Sequence, residues 1–215
     1  SSRSCISCSR VRSTITESEG GLVSGSCSSV RARWTVTGLA TSAGIVGGPS
    51  PAVGPGGLAV FAFPDGDLAA VDALSGAIRW RGFIAGRRLE TVASRIADVT
   101  GDPVISGAVV VAGTHNGRTA AFDRTTGAPL WTLDEGAMAS PVVTSRDIFQ
   151  ITDRNALIRA DRNTGALIWS QPLPLYRTTR QRRFSALFAH YGPVLAGGRL
   201  IVLSDDEVIR NFDPA

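Results

Sequence analysis

Three stretches of this chain carry one nine-residue pattern, Asp-x-x-(Ser/Thr)-Gly-x-x-x-Trp, with identical internal spacing. They run from Asp72 to Trp80, Asp123 to Trp131 and Asp161 to Trp169, and a further copy opens at Asp213. A proline precedes each Asp at a nearly constant distance: 21 residues from Pro51 to Asp72, and 20 from Pro103 to Asp123, Pro141 to Asp161 and Pro193 to Asp213. A register this regular constrains architecture more tightly than local propensity, because each repeat must be one supersecondary unit.

The second unit shows what that element is. Asp102 to Gly107 is a short apolar run between breakers, and Val109 to Ala112 is a β-branched run. Thr114-His115-Asn116-Gly117 supplies hairpin-turn chemistry, Arg118 to Phe122 alternates, and Leu130 to Leu133 follows the turn from Asp123 to Gly127. The first unit repeats this with Leu58 to Phe63, the turn Pro64 to Asp67, Leu68 to Val71 and Ile78 to Arg81. Each unit therefore reads as a four-stranded antiparallel meander. In the signature, Asp72, Asp123 and Asp161 each head a turn and accept amide hydrogen bonds from two or three residues on. Gly76, Gly127 and Gly165 supply the positive φ that turns the chain back. Trp80, Trp131 and Trp169 bury a large area between one sheet and the next. Repeats of roughly 40–45 residues with four strands each predict an all-β fold, a β-propeller.

At this repeat length the 215 residues hold four to five blades. The chain stops at Ala215 inside a repeat, so the expectation is part of a longer, ring-closing protein. Residues 1–33 stand apart from the propeller segment 34–215: they contain 11 Ser in the first 30 positions and all three Cys (Cys5, Cys8, Cys27). Trp34 sits 46 residues before Trp80, where a preceding blade would place its Trp. All 22 basic residues are Arg, and a net charge of +4 without aromatic–basic interleaving speaks against a nucleic-acid partner. No run approaches the roughly 20 apolar residues of a spanning helix.

Function should lie where the repeats differ. From repeat Trp to the next repeat Pro the chain takes 23 residues after Trp80, 10 after Trp131 and 24 after Trp169. Two insertions thus occupy one topological slot, the connection from an outer strand to the next inner strand. In a propeller all such connections share a face with the hairpins between the middle strands. The first insertion holds Arg87-Arg88-Leu89-Glu90 and Arg95 to Thr100. The second holds Arg177, Arg180, Arg182 and Arg183 with Phe184, Leu187, Phe188, His190 and Tyr191. Arg with aromatics on a loop fits a protein–protein contact, and equally a solvated loop whose aromatics fold back on the blade.

Ala70-x-Asp72-x-x-x-Gly76-x-x-x-Trp80 and Ala121-x-Asp123-x-x-x-Gly127-x-x-x-Trp131 resemble the tryptophan-docking motif of quinoprotein-type propellers; the third copy has Arg159 in place of Ala. Arg95 to Val104, preceded by Gly47-Gly48-Pro49-Ser50-Pro51-Ala52, resembles the β-barrel assembly machinery lipoprotein B (BamB) family, over roughly Trp34 to Ala215. The resemblance implies an eight-bladed, lipid-anchored propeller at the periplasmic face of the outer membrane. It would be a non-enzymatic scaffold, without cofactor, that binds the periplasmic domains of the barrel-inserting pore protein. The family's acidic pair falls on Asp98 and Thr100, so its second member is replaced, and its Leu-Arg element falls on Ile45-Val46, so the Arg is lost. By this resemblance Ile45, Val46, Arg95, Ile96 and Asp98 are the candidate partner-binding residues. The alternatives are a fragment of a quinone- and calcium-dependent dehydrogenase, and a propeller sensor or adaptor. For the dehydrogenase, Asp65, Asp67, Asp205, Asp206 and Glu207 lie in hairpin turns where acidic residues are usually just solvated, and the cluster Asp205-Asp206-Glu207 is the one that could bind a hard cation. Neither His115 nor His190 has a recognisable carboxylate and nucleophile partner.

Overall fold

The computed structural model describes residues 32–37, 49–63, 66–84, 99, 101–115, 117–177 and 187–215. The chain divides into two compact units, 1–33 and 34–215, and the second carries the sheets. Its four antiparallel sheets follow one another along the chain. The first contains β1 (Ala52–Gly54), β2 (Leu58–Ala62), β3 (Asp67–Asp72) and β4 (Ile78–Phe83). The second contains β5 (Val104–Ser106), β6 (Val109–Thr114), β7 (Arg118–Asp123) and β8 (Pro129–Leu133). The third contains β9 (Val142–Val143), β10 (Asp147–Ile151), β11 (Ala156–Asp161) and β12 (Leu167–Pro172). The fourth contains β13 (His190–Ala196), β14 (Arg199–Ser204) and β15 (Ile209–Phe212). Within each sheet the spatial order is the sequence order, a meander. A 3₁₀ turn at Pro55–Gly57 joins β1 to β2.

Period-2 patterning fails in the middle strands, and for a physical reason. β6 is buried at every position and β3 at all but its last, because each middle strand lies between two neighbouring sheets. Three apolar layers result. Leu68, Val60 and Trp80 of the first sheet pack on Val110, Ala120 and Phe122 of the second. Trp131 and Val111 meet Ile148 and Ile158 of the third, and Phe149 and Leu157 meet Leu200 and Val202 of the fourth. The first strands β1, β5, β9 and β13 are neighbours in that order, which puts them innermost and leaves β4, β8, β12 and β15 outermost. This is the blade arrangement of a propeller.

Each outer strand of the first three sheets carries a bulge one residue before its Trp. Pairing runs Ala70 to Trp80 and then Val71 to Ile78, so Arg79 is the extra residue; Leu130 and Ile168 hold the same place in the next two sheets. The bulge re-aims the strand at the position from which the indole leaves it.

Candidate functional site

The signature turns join the third and fourth strands of the first three sheets and hold one sheet against the next. Asp72 Oδ1 accepts from Leu74 N (3.1 Å), Ser75 N (3.0 Å) and Ser75 Oγ (3.0 Å). Asp123 and Asp161 repeat this with Thr125 and Thr126, and with Asn163 and Thr164, at 2.8–2.9 Å. Gly76, Gly127 and Gly165 have φ of 74°, 73° and 72°. A second demand falls on the same glycines: a Cβ would stand 2.4 Å from Trp34 at Gly76, 2.7 Å from Trp80 at Gly127 and 2.6 Å from Trp131 at Gly165. Each indole thus lies flat on the turn of the following sheet and donates its N–H to that turn. The acceptors are Ala73 O (3.2 Å), Arg124 O (2.8 Å) and Arg162 O (2.9 Å). Trp80 and Trp131 are 6% and 9% exposed, whereas Trp169 is only half-buried.

On the opposite ends of the blades, the described parts of the sheet-to-sheet connections meet the middle hairpins. The short connection after β8 is held by Gln150, which is fully buried and donates to Thr119 Oγ1 (2.9 Å) and Gly136 O (3.1 Å). Asp153 Oδ1 accepts from Gly136 N (2.9 Å). The second insertion is tied down at both ends. Leu173 N donates to Asn155 O (2.9 Å) on leaving β12, and Asn155 Nδ2 reaches Phe188 O (3.1 Å) on the return. Tyr176 and Leu187 pair as an antiparallel bridge, and the Arg177 guanidinium lies 5.3 Å above the Phe188 ring while pairing with Asp205. His190 is buried between Ser204 Oγ (2.6 Å) and Pro174 O (2.8 Å). Pro174 O can only accept, so Nε2 carries the proton there. His190 therefore clasps the entry and exit of the insertion.

The acidic hairpin residues do not gather. Asp67 lies in β3 rather than in the turn, nearly buried, and accepts from Arg81 Nη1 (2.9 Å). Asp205 pairs with Arg177, and Asp206 is gripped by Arg210 (2.5 and 3.0 Å), which is the main reason its carboxyl sits below the ordinary range. Among the described residues no three His, Cys, Asp or Glu side chains are grouped to hold a metal ion. Asp65 lies outside the described residues.

Ile45, Val46, Arg95, Ile96 and Asp98 also lie outside the described residues, as does the Cys5-x-x-Cys8 pair, but the chain flanking the candidate contact residues is fixed. Val99 is buried in the first apolar layer and bridges to Thr114. Gly101 is pressed on the third sheet's entry, where a Cβ would stand 2.5 Å from the Ala139 carbonyl. Asp102 then joins three sheet entries: its Oδ1 accepts from Ser50 N (2.6 Å) and its N donates to Ser140 Oγ (3.0 Å). Val46 precedes Ser50 by four residues, and Asp98 precedes Asp102 by four. Sequence reading missed this junction, although its signal was present: Ser50, Asp102 and Ser140 each stand one residue before the repeat Pro.

Comparison with known proteins agrees with these features. The family described as "Outer membrane protein assembly factor BamB" matches residues 11–171, well over half of the chain. The BamB of Kangiella koreensis is 32% identical over 130 residues, which is 60% of this chain and 34% of that protein. The BamB of Alkalilimnicola ehrlichii is 28% identical over 166 residues, 77% of this chain and 40% of that protein. The chain thus spans well under half the length of these two relatives. Among solved structures, BamB from Moraxella catarrhalis superposes with a TM-score of 0.59 at 21% identity, covering 77% of this chain and 49% of that one. Four repeated sheets, their tryptophan docks and the family match lead to one assignment: this chain belongs to the outer membrane protein assembly factor BamB family.

Proposed function

We propose that this chain works as a non-enzymatic scaffold in outer-membrane β-barrel assembly. It would bind the periplasmic domains of the barrel-inserting pore protein at the periplasmic face of the outer membrane, with any membrane attachment through a lipid anchor. The contact surface is the face of the inserted connections, with Asp98, Arg95 and Ile96 on one element and Ile45 and Val46 on the other. The observation that carries this reading is the Ser50–Asp102 hydrogen bond (2.6 Å). It ties together the two chain segments that immediately follow these elements, so one partner surface can meet both. The sequence likeness supplies the type of partner, and the closed polar networks beneath the face supply a rigid base.

Calorimetric titration with the soluble periplasmic domains of the pore protein tests this. Dissociation constants of about 1 μM or tighter, about −8 kcal/mol, are expected. Asp98→Arg should weaken binding at least about tenfold, whereas Asp134→Arg, a charge reversal at a highly exposed carboxylate on the same face, should change it little. Equal affinity for the native chain and Asp98→Arg would remove the acidic element from the contact.

A further inference from the structure

The opposite face carries a difference between repeats that the assembly role does not use. The residue after the signature Asp is Arg in the second and third sheets, Arg124 and Arg162. In both, its carbonyl receives the preceding sheet's Trp. Their side chains part company. Arg162 Nη2 donates to Ser106 O (2.6 Å), at the end of β5 in the preceding sheet, and so closes the cleft between the second and third sheets. Arg124 faces the corresponding cleft between the first and second sheets, where the turn is Pro55-Gly56-Gly57, one residue longer. The Gly56 carbonyl there is already taken by Arg79 Nη2 (2.8 Å), which also reaches Asp72 Oδ2 (2.6 Å). Arg79 occupies the bulge position that is Leu130 and Ile168 in the next two sheets. The Arg124 guanidinium consequently has no hydrogen-bond partner among the described residues, and only the charge of Asp123 beside it.

What remains is an open groove of about 320 Å³, lined by Pro55, Gly56, Leu58, Arg79, Arg124 and Thr125. Its apolar surface is Pro55, with the buried Leu58 beneath. Its walls offer a planar guanidinium fork, a second guanidinium that spends only Nη2 within the protein, and the Thr125 hydroxyl. Of the neighbouring carboxylates, Asp72 Oδ2 is on Arg79 and the Oδ1 atoms of Asp72 and Asp123 each accept three hydrogen bonds within their own turns, which leaves only Asp123 Oδ2 facing the Arg124 charge. We infer that this groove is a carboxylate-binding site, with Arg124 as the bidentate anchor and Pro55 against the apolar body that carries the carboxylate. A guanidinium fork matches a carboxylate in plane and spacing, whereas an ammonium would supply charge alone.

The site is tested by titrating sodium hexanoate into the chain while following the Arg Nε–H resonances, with sodium chloride at equal ionic strength as reference. Saturable binding with a dissociation constant on the order of 1 mM is expected for one bidentate contact with a small apolar body. Arg124→Gln should weaken it about tenfold, Arg124→Lys should give an intermediate loss, and Arg162→Gln should leave it unchanged. A tetrapeptide with a free C-terminal carboxylate and its amide form a second arm. Binding of the acid and not the amide extends the site to chain ends, and binding of hexanoate alone restricts it to small carboxylates. A chloride-like, non-saturating response to both hexanoate and the peptide acid, or equal affinity in folded Arg124→Gln, overturns the inference. Pore-domain binding is read separately, so neither result depends on the other.

Discussion

Trp80 and Trp169 hold the same place in two copies of one repeat, yet their surroundings differ. Trp80 lies on Gly127, gives its N–H to Arg124 O at 2.8 Å and stacks 6.3 Å from Phe122 of the next sheet. Trp169 contacts Phe149 of its own sheet at 6.1 Å, and the fourth signature holds only Asp213-Pro214-Ala215 in this chain, short of the glycine on which that indole would lie. Nothing in the nine residues from Asp161 to Trp169 distinguishes that copy as a weaker one. A docked tryptophan is therefore a property of two consecutive units, and the second unit's glycine and carbonyl contribute as much as the indole does.

The widest separation should come from truncating the indoles. Trp80→Ala removes a buried side chain from the first apolar layer and should cost about 3–5 kcal/mol. Trp169→Ala removes a half-buried one without a docked turn and should cost less than about half of that. Urea unfolding followed by circular dichroism measures both, and equal losses would mean that Trp169 is as well packed as Trp80. The conservative substitution sharpens the point. Trp80→Phe strands the Arg124 carbonyl and should cost about 1–2 kcal/mol.

Glycine substitutions isolate the other half of the dock. Gly197 has φ of 58° and open space where a Cβ would stand, so Gly197→Ala should cost only the left-handed penalty of about 1–2 kcal/mol. Gly127 has φ of 73° and the Trp80 indole at 2.7 Å, so Gly127→Ala should add overpacking of about 1–3 kcal/mol to that penalty. Similar losses at the two sites, by the same urea measurement, would show that backbone conformation alone selects glycine in the signature.

Most of this scaffold was legible because the repeat fixes it. The strands of the first two units begin within a residue or so of where Leu58, Val109, Arg118 and Leu130 open apolar or alternating runs, and pairing carries several of them one or two residues further. The Asp turns follow from side-chain chemistry that needs no tertiary partner. The site was legible only in location. The slot after each Trp is topological and could be counted, but the Ser50–Asp102–Ser140 junction links residues 38 and 52 positions apart, which no local pattern reports. Gln150 was invisible for a related reason. Its position corresponds to Phe61, Ala112 and Val202 in the other units, and only the short connection that brings Gly136 across it explains a buried amide there.

Acid should affect the signature turns in a graded and smaller way. The carboxyls of Asp72, Asp123 and Asp161 lie below the ordinary range, each chiefly because a backbone amide of the turn, at Ser75, Thr126 or Thr164, donates to the ionised form. A depressed carboxyl contributes stability that is fully present above its unfolded value near 4 and is lost as pH falls toward the folded one. Stability should thus be flat above about pH 5 and decline steadily below about pH 4. Asp72 differs from its counterparts by one charged donor, Arg79 at 2.6 Å, and its carboxyl is lowered further in consequence. Asp72→Asn keeps an acceptor for the turn and should flatten the acid limb more than Asp161→Asn does. Because the Asp72 pair is partly exposed, added salt should narrow that gap. If the two variants give the same acid limb at low salt, Arg79 contributes nothing to the turn beyond its bond to Gly56.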